Sequence, residues 1–558
     1  MLRLTELKLP LGHGADALPA AAAAMMGVDR AAIQSIAIVR RAYDARRRSA
    51  IHLVYTVDVA VLDEAAVLTR HAGNKRIGAA TGTPYRLPAR APAAPFQRPV
   101  VIGCGPCGLL AALMLARMGF RPIILERGTI VRQRTKDTWG LWRRGVLTPE
   151  SNAQFGEGGA GTFSDGKLYS GIKDPRHLGR EVMREFVAAG APEEILYVSK
   201  PHIGTFRLVT VVESIRETIL ALGGEYRFGA RVEDIDLDSD RRVRGVILAD
   251  GEHIATRHVI LAIGHSARDT FQMLHDRGVF MAAKPFSIGV RIEHPQALID
   301  RARFGGFAGD PVLGAADYKL VHHASNGRSV YSFCMCPGGR VVAATSEAGR
   351  VVTNGMSQYS RAEFNANAGL VVDVTPDDYP GGPGGGPLTG IAFQRALEEK
   401  AFEAGGGTYA APCQTVGDFL AGRPSTALGT VTPSYKPGVR PTDLAAILPD
   451  YMVAAMREAI PAFDRQLPGF AMADAVMTGV ETRTSSPLRI TRDASGQSLN
   501  TRGLFPAGEG AGYAGGILSA AVDGIRVAEA VALAMNGLPP IEPMTRSGGD
   551  SPSSSAPM

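Results

Sequence analysis

The sequence predicts an α/β fold, and three observations support this class. Residues 100–125 read in order as an apolar strand, a glycine-rich turn, a helix and a second apolar strand. A second glycine-rich turn that opens a helix lies about 400 residues later, at 503–535. Residues 1–88 and 284–478 have a different pattern of short strands and helices. This difference predicts an N-terminal α+β domain and an insertion.

The first glycine-rich turn has the spacing G-x-G-x-x-G at Gly103, Gly105 and Gly108. The first glycine permits a tight turn, the second lets backbone approach a pyrophosphate, and the third lets helix and strand pack closely. The helix N-terminus offers free N–H groups to phosphates. Glu126 follows 18 residues after Gly108, where a carboxylate can bind ribose hydroxyls. This order predicts dinucleotide binding by a Rossmann-like domain.

Composition limits the classes of protein that the chain can form. The 558 residues include five cysteines, too few for a disulfide scaffold and consistent with the reducing cytoplasm. No stretch reaches the length of a membrane span. Cys104-x-x-Cys107 invites a redox or metal interpretation, but its position inside the turn favours small packing residues. No spacing resembles a metal site or a hydrolase triad, so the predicted metal is none.

The N-terminal residues 1–88 predict a small domain with the element order β-α-β-β-α-β, which is ferredoxin-like. Residues 1–95 hold 13 basic and 7 acidic residues, which accounts for the whole net charge of +6. Five arginines cluster at the predicted hairpin: Arg40, Arg41, Arg46, Arg47 and Arg48. The cluster is interpreted either as a solvated surface or as a contact for a polyanion such as RNA.

Local patterns predict the other elements of the chain. The predicted strands are 2–11, 35–43, 51–61, one near 77, 226–235, 243–248, 258–263, 320–323 and 329–334. The predicted helices are 15–28, 63–69, 176–190, 209–222, 388–404, 444–459 and 517–535.

The second half of the dinucleotide site is predicted at residues 503–517. Glu509 lies at the end of a predicted strand, where its carboxylate can bind ribitol hydroxyls. The helix that opens at Ile517 can stabilise negative charge on a reduced flavin. Residues 155–167, with Gly158 and Gly159, predict backbone that passes close to pyrophosphate or flavin. Together these features favour FAD over NAD.

The chain also resembles a bacterial family of uncharacterised FAD-dependent dehydrogenases, or NAD(P)/FAD-dependent oxidoreductases, with a glutathione-reductase-type FAD-binding fold. The matching stretches are 155–167, 332–339, 352–356, 481–486 and 508–516. The resemblance implies FAD contacts at Gly103, Gly105, Gly108, Glu126, Arg127, Val232 (at the adenine), Gly508, Glu509 and Gly516. Gly264, Gly515 and Ile517 complete the predicted cofactor site with the glycines of 155–167.

These features divide the chain into six predicted parts. They are a ferredoxin-like domain (1–88), a linker (89–98), the first part of the FAD-binding domain (99–283), an inserted α+β substrate or cap domain (284–478), the second part of the FAD-binding domain (479–537) and a disordered tail (538–558).

Cys334 and Cys336 are the catalytic candidates in the insertion, because alternate residues of a strand share a face. They are interpreted either as a thiol pair that relays electrons or as buried packing residues. His265, His322 and His323 are candidate proton donors with the same structural alternative.

The predicted function is that of an FAD-dependent oxidoreductase. It would transfer a hydride or electron pair between a reduced carrier such as NAD(P)H, bound transiently, and an unidentified organic substrate. The alternative is an anion- or RNA-binding protein in which the flavin is structural or senses redox state.

Overall fold

A computed structural model describes residues 1–80, 82 and 84–541, which form one small sheet at the N-terminus and four further sheets. The part of the predicted tail beyond residue 541 lies outside the described residues. Within the described part of the chain, no helix combines the length and the apolar character needed to cross a lipid bilayer.

The strands, in chain order, are β1 (Leu2–Pro10), β2 (Ile33–Asp44), β3 (His52–Val61), β4 (Ile77–Ala79), β5 (Val100–Ile102), β6 (Ile123–Glu126), β7 (Glu225–Phe228), β8 (Val232–Leu237), β9 (Val243–Leu248), β10 (His253–Ala255), β11 (Val259–Leu261), β12 (Met281–Ala283), β13 (Phe286–Pro295), β14 (Val321–His323), β15 (Ser329–Ala343), β16 (Thr353–Ser357), β17 (Asn365–Val374), β18 (Ala411–Thr415), β19 (Val439–Pro441), β20 (Val476–Glu481), β21 (Leu488–Ile490) and β22 (Leu504–Pro506). The helices are α1 (Ala17–Met26), α2 (Glu64–Arg70), α3 (Pro106–Arg117), α4 (Val131–Arg144), α5 (Leu178–Ala188), α6 (Thr205–Ala221), α7 (Arg268–Asp276), α8 (Gln296–Phe304), α9 (Thr389–Ala404), α10 (Val416–Ala421), α11 (Asp450–Gln466) and α12 (Ile517–Met535).

The N-terminal sheet has the strand order β2-β3-β1-β4, and all neighbours are antiparallel. Alternate residues of β1 and β3 are buried because successive side chains of a strand point to opposite faces. Leu18 and Met26 of α1 cover this apolar face. The Asp63 carboxylate caps α2 by accepting the N–H of Ala66 at 2.9 Å. The succession of strands and helices is the predicted one.

The central sheet is parallel, with the order β22-β11-β5-β6-β7. The turns after β5 and β22 lead into α3 and α12, so both helices begin at the carboxyl edge of this sheet. The two helices cross closely at Gly524, where a Cβ would lie 2.2 Å from the carbonyl oxygen of Cys107. The bounds of α12 are those that the sequence predicts.

The predicted strand 226–235 is wrong, because the structure divides it into β7 and β8. Gly229 interrupts the extended backbone with a φ of 66°. β7 continues the parallel central sheet beside β6, whereas β8 pairs antiparallel with β9 in a separate three-stranded sheet. An apolar run alone does not reveal such a break, because both halves are strand-like.

The large sheet has the order β14-β15-β17-β13-β20-β18-β19, and β16 pairs with β15. β20 pairs with β13, so that Gly479 lies opposite Val290 and Glu481 opposite Gly289. The predicted domain boundary between residues 478 and 479 therefore falls inside β20. Polar residues begin there in the sequence, but backbone pairing with β13 continues to Glu481.

The predicted helix 444–459 also needs correction. Residues Leu444–Ala446 form a short 3₁₀ turn, which Asp443 caps by accepting the N–H of Ala445. The α-helix α11 begins only after Pro449. Proline disfavours helical geometry in the residue before it, which explains why the helix restarts beyond that point.

The N-terminal sheet is attached to the rest of the protein through the backbone of β2. Arg41 donates its N–H to the carbonyl of Tyr197 at 2.6 Å, and its own carbonyl accepts the N–H of Ser199 at 2.9 Å. The predicted linker is extended but packed: the Ala91 N–H donates to the carbonyl of Met118 at 2.8 Å.

Candidate functional site

A cavity of about 740 Å³ joins the carboxyl edge of the central sheet to the large sheet. The predicted site residues that line it are Gly103, Gly105, Glu126, Arg127, Gly159, Val232, Gly264, Cys334, Glu509, Gly515, Gly516 and Ile517. Gly108, Gly158, Gly508 and Cys336 lie behind this lining. The structure thus brings residues from distant parts of the sequence to one continuous space.

The three glycines of the first turn have different physical roles. A Cβ on Gly103 would lie 2.5 Å from the carbonyl oxygen of Ala262, and one on Gly108 would lie 1.9 Å from the carbonyl oxygen of Gly103. A Cβ on Gly105 would meet only the Cα of Gly159, at 3.6 Å. Packing of the chain therefore requires two of the glycines, whereas the space beside Gly105 is left for a ligand.

The segment after α4 is held against this turn by backbone contacts. The N–H of Gly158 donates to the carbonyl of Cys104 at 3.0 Å. A Cβ on Gly159 would lie 2.7 Å from the Cα of Gly105, so two backbones meet across the cavity wall. Gly158 is thus a packing residue here, while Gly159 faces the cavity.

Glu126 ends β6 with only 5% of its surface exposed. Its carboxylate accepts the N–H groups of Cys104, Gly128 and Gly156 at 2.9–3.1 Å. The Cys104 thiol donates to the same carboxylate at 3.3 Å. A thiol is a weak donor, so this fourth contact is the weakest of those that the carboxylate accepts. The carboxylate therefore fits the predicted ribose contact and also fixes the turn.

Arg127, directly after β6, and Val232, at the start of β8, also line the cavity. Arg127 donates to the carboxylates of Glu150 at 2.7 Å and Asp269 at 2.8 Å. Its guanidinium also lies 4.2 Å from the centre of the Phe155 ring. These contacts hold the guanidinium as a fixed wall of the cavity.

Glu509 and the start of α12 form another part of the lining. The N–H of Ser486 donates to the Glu509 carboxylate at 3.1 Å. Burial raises the pKa of Glu509 to about 7, although the charge of Lys284 opposes the shift. Gly508 serves packing, because a Cβ there would lie 2.8 Å from the Cβ of Cys107.

Cys334 and Cys336 do not follow the predicted alternation of a regular strand. Cys334 has a φ of 42°, and the register of β15 shifts between Phe333 and Cys336. Cys334 lines the cavity, whereas Cys336 is fully buried and donates its thiol to the Cys334 carbonyl at 3.3 Å. The interaction of the two thiols lowers the pKa of Cys334; burial opposes this shift, and the charge of Lys167 adds to it.

Three residues beside Cys334 had no predicted role: Lys167, Arg291 and Glu481. Arg291 is fully buried and donates to the Cys334 carbonyl and to the Glu481 carboxylate, both at 2.9 Å. Lys167 donates to the carbonyl of Met335. A charged residue among the apolar residues of β13 was the available signal for Arg291, because such a residue is rarely buried without partners.

Of the candidate histidines, only His265 lines the cavity. Burial, assisted by the charges of Arg483 and Arg268, lowers its pKa to about 3, so the imidazole is neutral near pH 7. His322 instead pairs with Glu458 at 2.9 Å, and His323 contacts the Ser329 hydroxyl at 3.0 Å. The structure therefore does not bring His322 and His323 into this site.

Two family models match the chain. Residues 285–484, which contain the large sheet from β13 to β20, match the model described as FAD-dependent protein, C-terminal domain-like. Residues 1–60 match a model described as a domain of unknown function. The first match supports the predicted dependence on FAD through the domain of residues 285–484.

Individual relatives match different shares of the chain. An uncharacterized protein of Clostridium beijerinckii is 47% identical over 529 residues, which cover 95% of this chain and 98% of the relative. A menaquinone reductase of Mycobacterium tuberculosis is 26% identical over 166 residues, 30% of this chain and 37% of the relative. The solved L-proline dehydrogenase of P. horikoshii is 14% identical, with a TM-score of 0.34 over 80% of this chain and 95% of its own. The chain belongs to one family with the Clostridium beijerinckii protein, and its residues 285–484 form a domain of the FAD-dependent protein type.

Proposed function

We propose that the protein is an FAD-dependent oxidoreductase that acts on an organic substrate with NAD(P)H as the electron donor. One observation carries the proposal: the cavity continues from the dinucleotide turn at Gly105 to the wall formed by Cys334 and Lys167. Binding sites favour such junctions between domains. The family assignment to FAD-dependent proteins supports the cofactor.

In this proposal, residues from distant parts of the cavity lining hold FAD. Val232 and Glu126 would hold the adenosine, and the open space at Gly105 would receive the pyrophosphate at the N-terminus of α3. Glu509 would bind ribitol hydroxyls, and the N-terminus of α12 would stabilise negative charge near the ring. When bound, FAD supplies two-electron acceptor and donor chemistry.

Cys334 is the candidate catalytic residue of this proposal. Its lowered pKa gives the sulfur thiolate character, so Sγ can take up or return a proton beside the substrate. Cys336 lies outside the cavity, which makes it a positioning residue for Cys334. A relay through a disulfide between them is the less favoured role, because residues so close in sequence form a strained disulfide.

The competing proposal is a polyanion- or RNA-binding protein with a structural flavin. The contacts of the arginine cluster do not favour it. Arg40 lines the cavity, Arg41 lies over the Tyr197 ring, and Arg46 donates to the Asp44 carboxylate at 2.6 Å. Arginine side chains dispersed in this way form a weak surface for an extended anion.

The experiment is anaerobic stopped-flow reduction of the flavin by NADH and NADPH, followed by mixing with a panel of oxidised metabolites. We expect bleaching of the flavin by at least one donor and reoxidation by at least one metabolite. Cys334→Ser should slow reoxidation, whereas Cys413→Ser, a buried thiol of β18, should match the wild type. A flavin that neither donor reduces would refute the oxidoreductase proposal.

A further inference from the structure

The entrance of the cavity is built partly by the N-terminal sheet. Arg40 of β2 lines the cavity together with Lys200 and Lys319, which belong to other parts of the chain. The backbone contacts of Arg41 with Tyr197 and Ser199 fix this strand beside the entrance. Arg40 thus holds a defined place, although it lies in a part of the chain that carries none of the FAD-binding residues proposed above.

Positive charge at this entrance exceeds negative charge. Lys200 donates to Asp317 at 2.7 Å, so that pair is neutral. Within residues 1–80, 82 and 84–541, Arg40 and Lys319 have no carboxylate partner. Burial, followed by the positive charge of Lys200, lowers the pKa of Lys319, as expected where cations converge.

A further cation, Lys167, lies deeper in the same cavity. Lys167 donates to the Met335 carbonyl, while the nearby Asp165 carboxylate is occupied by the guanidinium of Arg361. The same lining includes the apolar residues Leu320, which follows Lys319 in the chain, and Phe333, which precedes Cys334. The cavity therefore has a cationic entrance at Arg40 and Lys319, an apolar part of the lining, and the cation Lys167 near Cys334.

We infer that the substrate carries an anionic group, a carboxylate or a phosphate, that Arg40 and Lys319 bind at the entrance. Its apolar body lies along Leu320 and Phe333 and directs the reacting end toward Cys334. Guanidinium and ammonium groups form charge-assisted hydrogen bonds with such anions. The identification of this ligand as the substrate rests on the proposed oxidoreductase function.

The test measures binding of three probes to the FAD-loaded protein: benzoate, phenyl phosphate and the neutral benzamide. Calorimetry and the perturbation of the flavin absorbance provide two separate readouts. At least one anionic probe should bind about tenfold or more tightly than benzamide, because it gains a charge-assisted hydrogen bond. The tighter of the two anions identifies the group as carboxylate or phosphate.

Variants assign this preference to the entrance. Arg40→Gln and Lys319→Gln should each weaken binding of the preferred anion about tenfold and leave benzamide unchanged. Arg47→Gln is the matched control, because Arg47 is an exposed arginine of the same hairpin outside the cavity lining. Equal binding of benzamide, no binding of either anion, or an equal loss in Arg47→Gln would each overturn the inference.

The outcomes also separate this inference from the proposed function. If the anion binds in an Arg40-dependent way but no donor reduces the flavin, the anion site is upheld and the proposed oxidoreductase function is rejected. Rapid flavin reduction without an effect of Arg40→Gln on probe binding would reject the anion site alone.

Discussion

Replacing Gly105 by alanine separates the binding of FAD from the stability of the fold. The φ of Gly105 is −68°, which alanine adopts freely, and the added Cβ would meet the chain only at 3.6 Å. The methyl group would instead occupy space at the N-terminus of α3, where the pyrophosphate is expected. Loss of one charge-assisted hydrogen bond costs roughly 1.5–3 kcal/mol, so the Kd for FAD should rise about 10- to 150-fold.

Gly108→Ala is the contrasting variant. Its Cβ would lie 1.9 Å from the carbonyl oxygen of Gly103, so backbone must move, at a cost of roughly 1–3 kcal/mol of folding free energy. FAD affinity is measured by fluorescence titration of the protein freed of flavin, and stability by urea unfolding of the same preparation. Gly105→Ala should lose affinity at nearly unchanged stability. Wild-type affinity in Gly105→Ala, or destabilisation equal to that of Gly108→Ala, would refute the reasoning.

Three further predictions concern charged groups. The Cys336 thiol and the charge of Lys167 both lower the pKa of Cys334. Lys167→Met should therefore move the pH midpoint of Cys334 alkylation upward, and an unchanged midpoint would contradict the effect of Lys167. Glu398→Gln leaves the buried Arg268 and Arg483 poorly paired and should destabilise the protein by about 3–5 kcal/mol in urea unfolding. Glu399→Gln, at the more exposed pair with Arg350, should cost less than about 1 kcal/mol. The pKa of Glu509 is raised from 4.5 to about 7, so the protonated carboxyl contributes stability that is complete below pH 4.5 and is lost as the pH rises to about 7. The unfolding free energy of the flavin-free protein should therefore fall with pH across this range, and Glu509→Gln should remove that dependence.

The parts of the site that depend on local sequence were predictable. The turn at Gly103 needs a particular backbone geometry and the bounds of α12 follow from its apolar pattern, so both are visible in neighbouring residues. Glu126 was predictable because it ends a buried strand 18 residues after Gly108. Glu509 was predictable because it follows a buried strand and precedes a glycine-rich segment.

The remaining features depend on contacts between residues far apart in sequence. Pairing of β20 with β13 extends the large sheet past a boundary that composition suggests. The bulge at Cys334 arises within a long strand whose register no local alternation specifies. Arg40 looked like one member of a charged surface cluster, and only the docking of β2 places it at the cavity.

The close crossing of α3 and α12 at Gly524 has a consequence for the two ends of the cofactor. Each helix presents its N-terminus to the cavity, and the absence of a side chain at Gly524 fixes how near the two axes come. The crossing therefore works as a spacer that sets the distance between the pyrophosphate position and the flavin ring. A side chain at residue 524 would lengthen that spacing from inside the core, and both halves of FAD could then no longer reach their contacts at once.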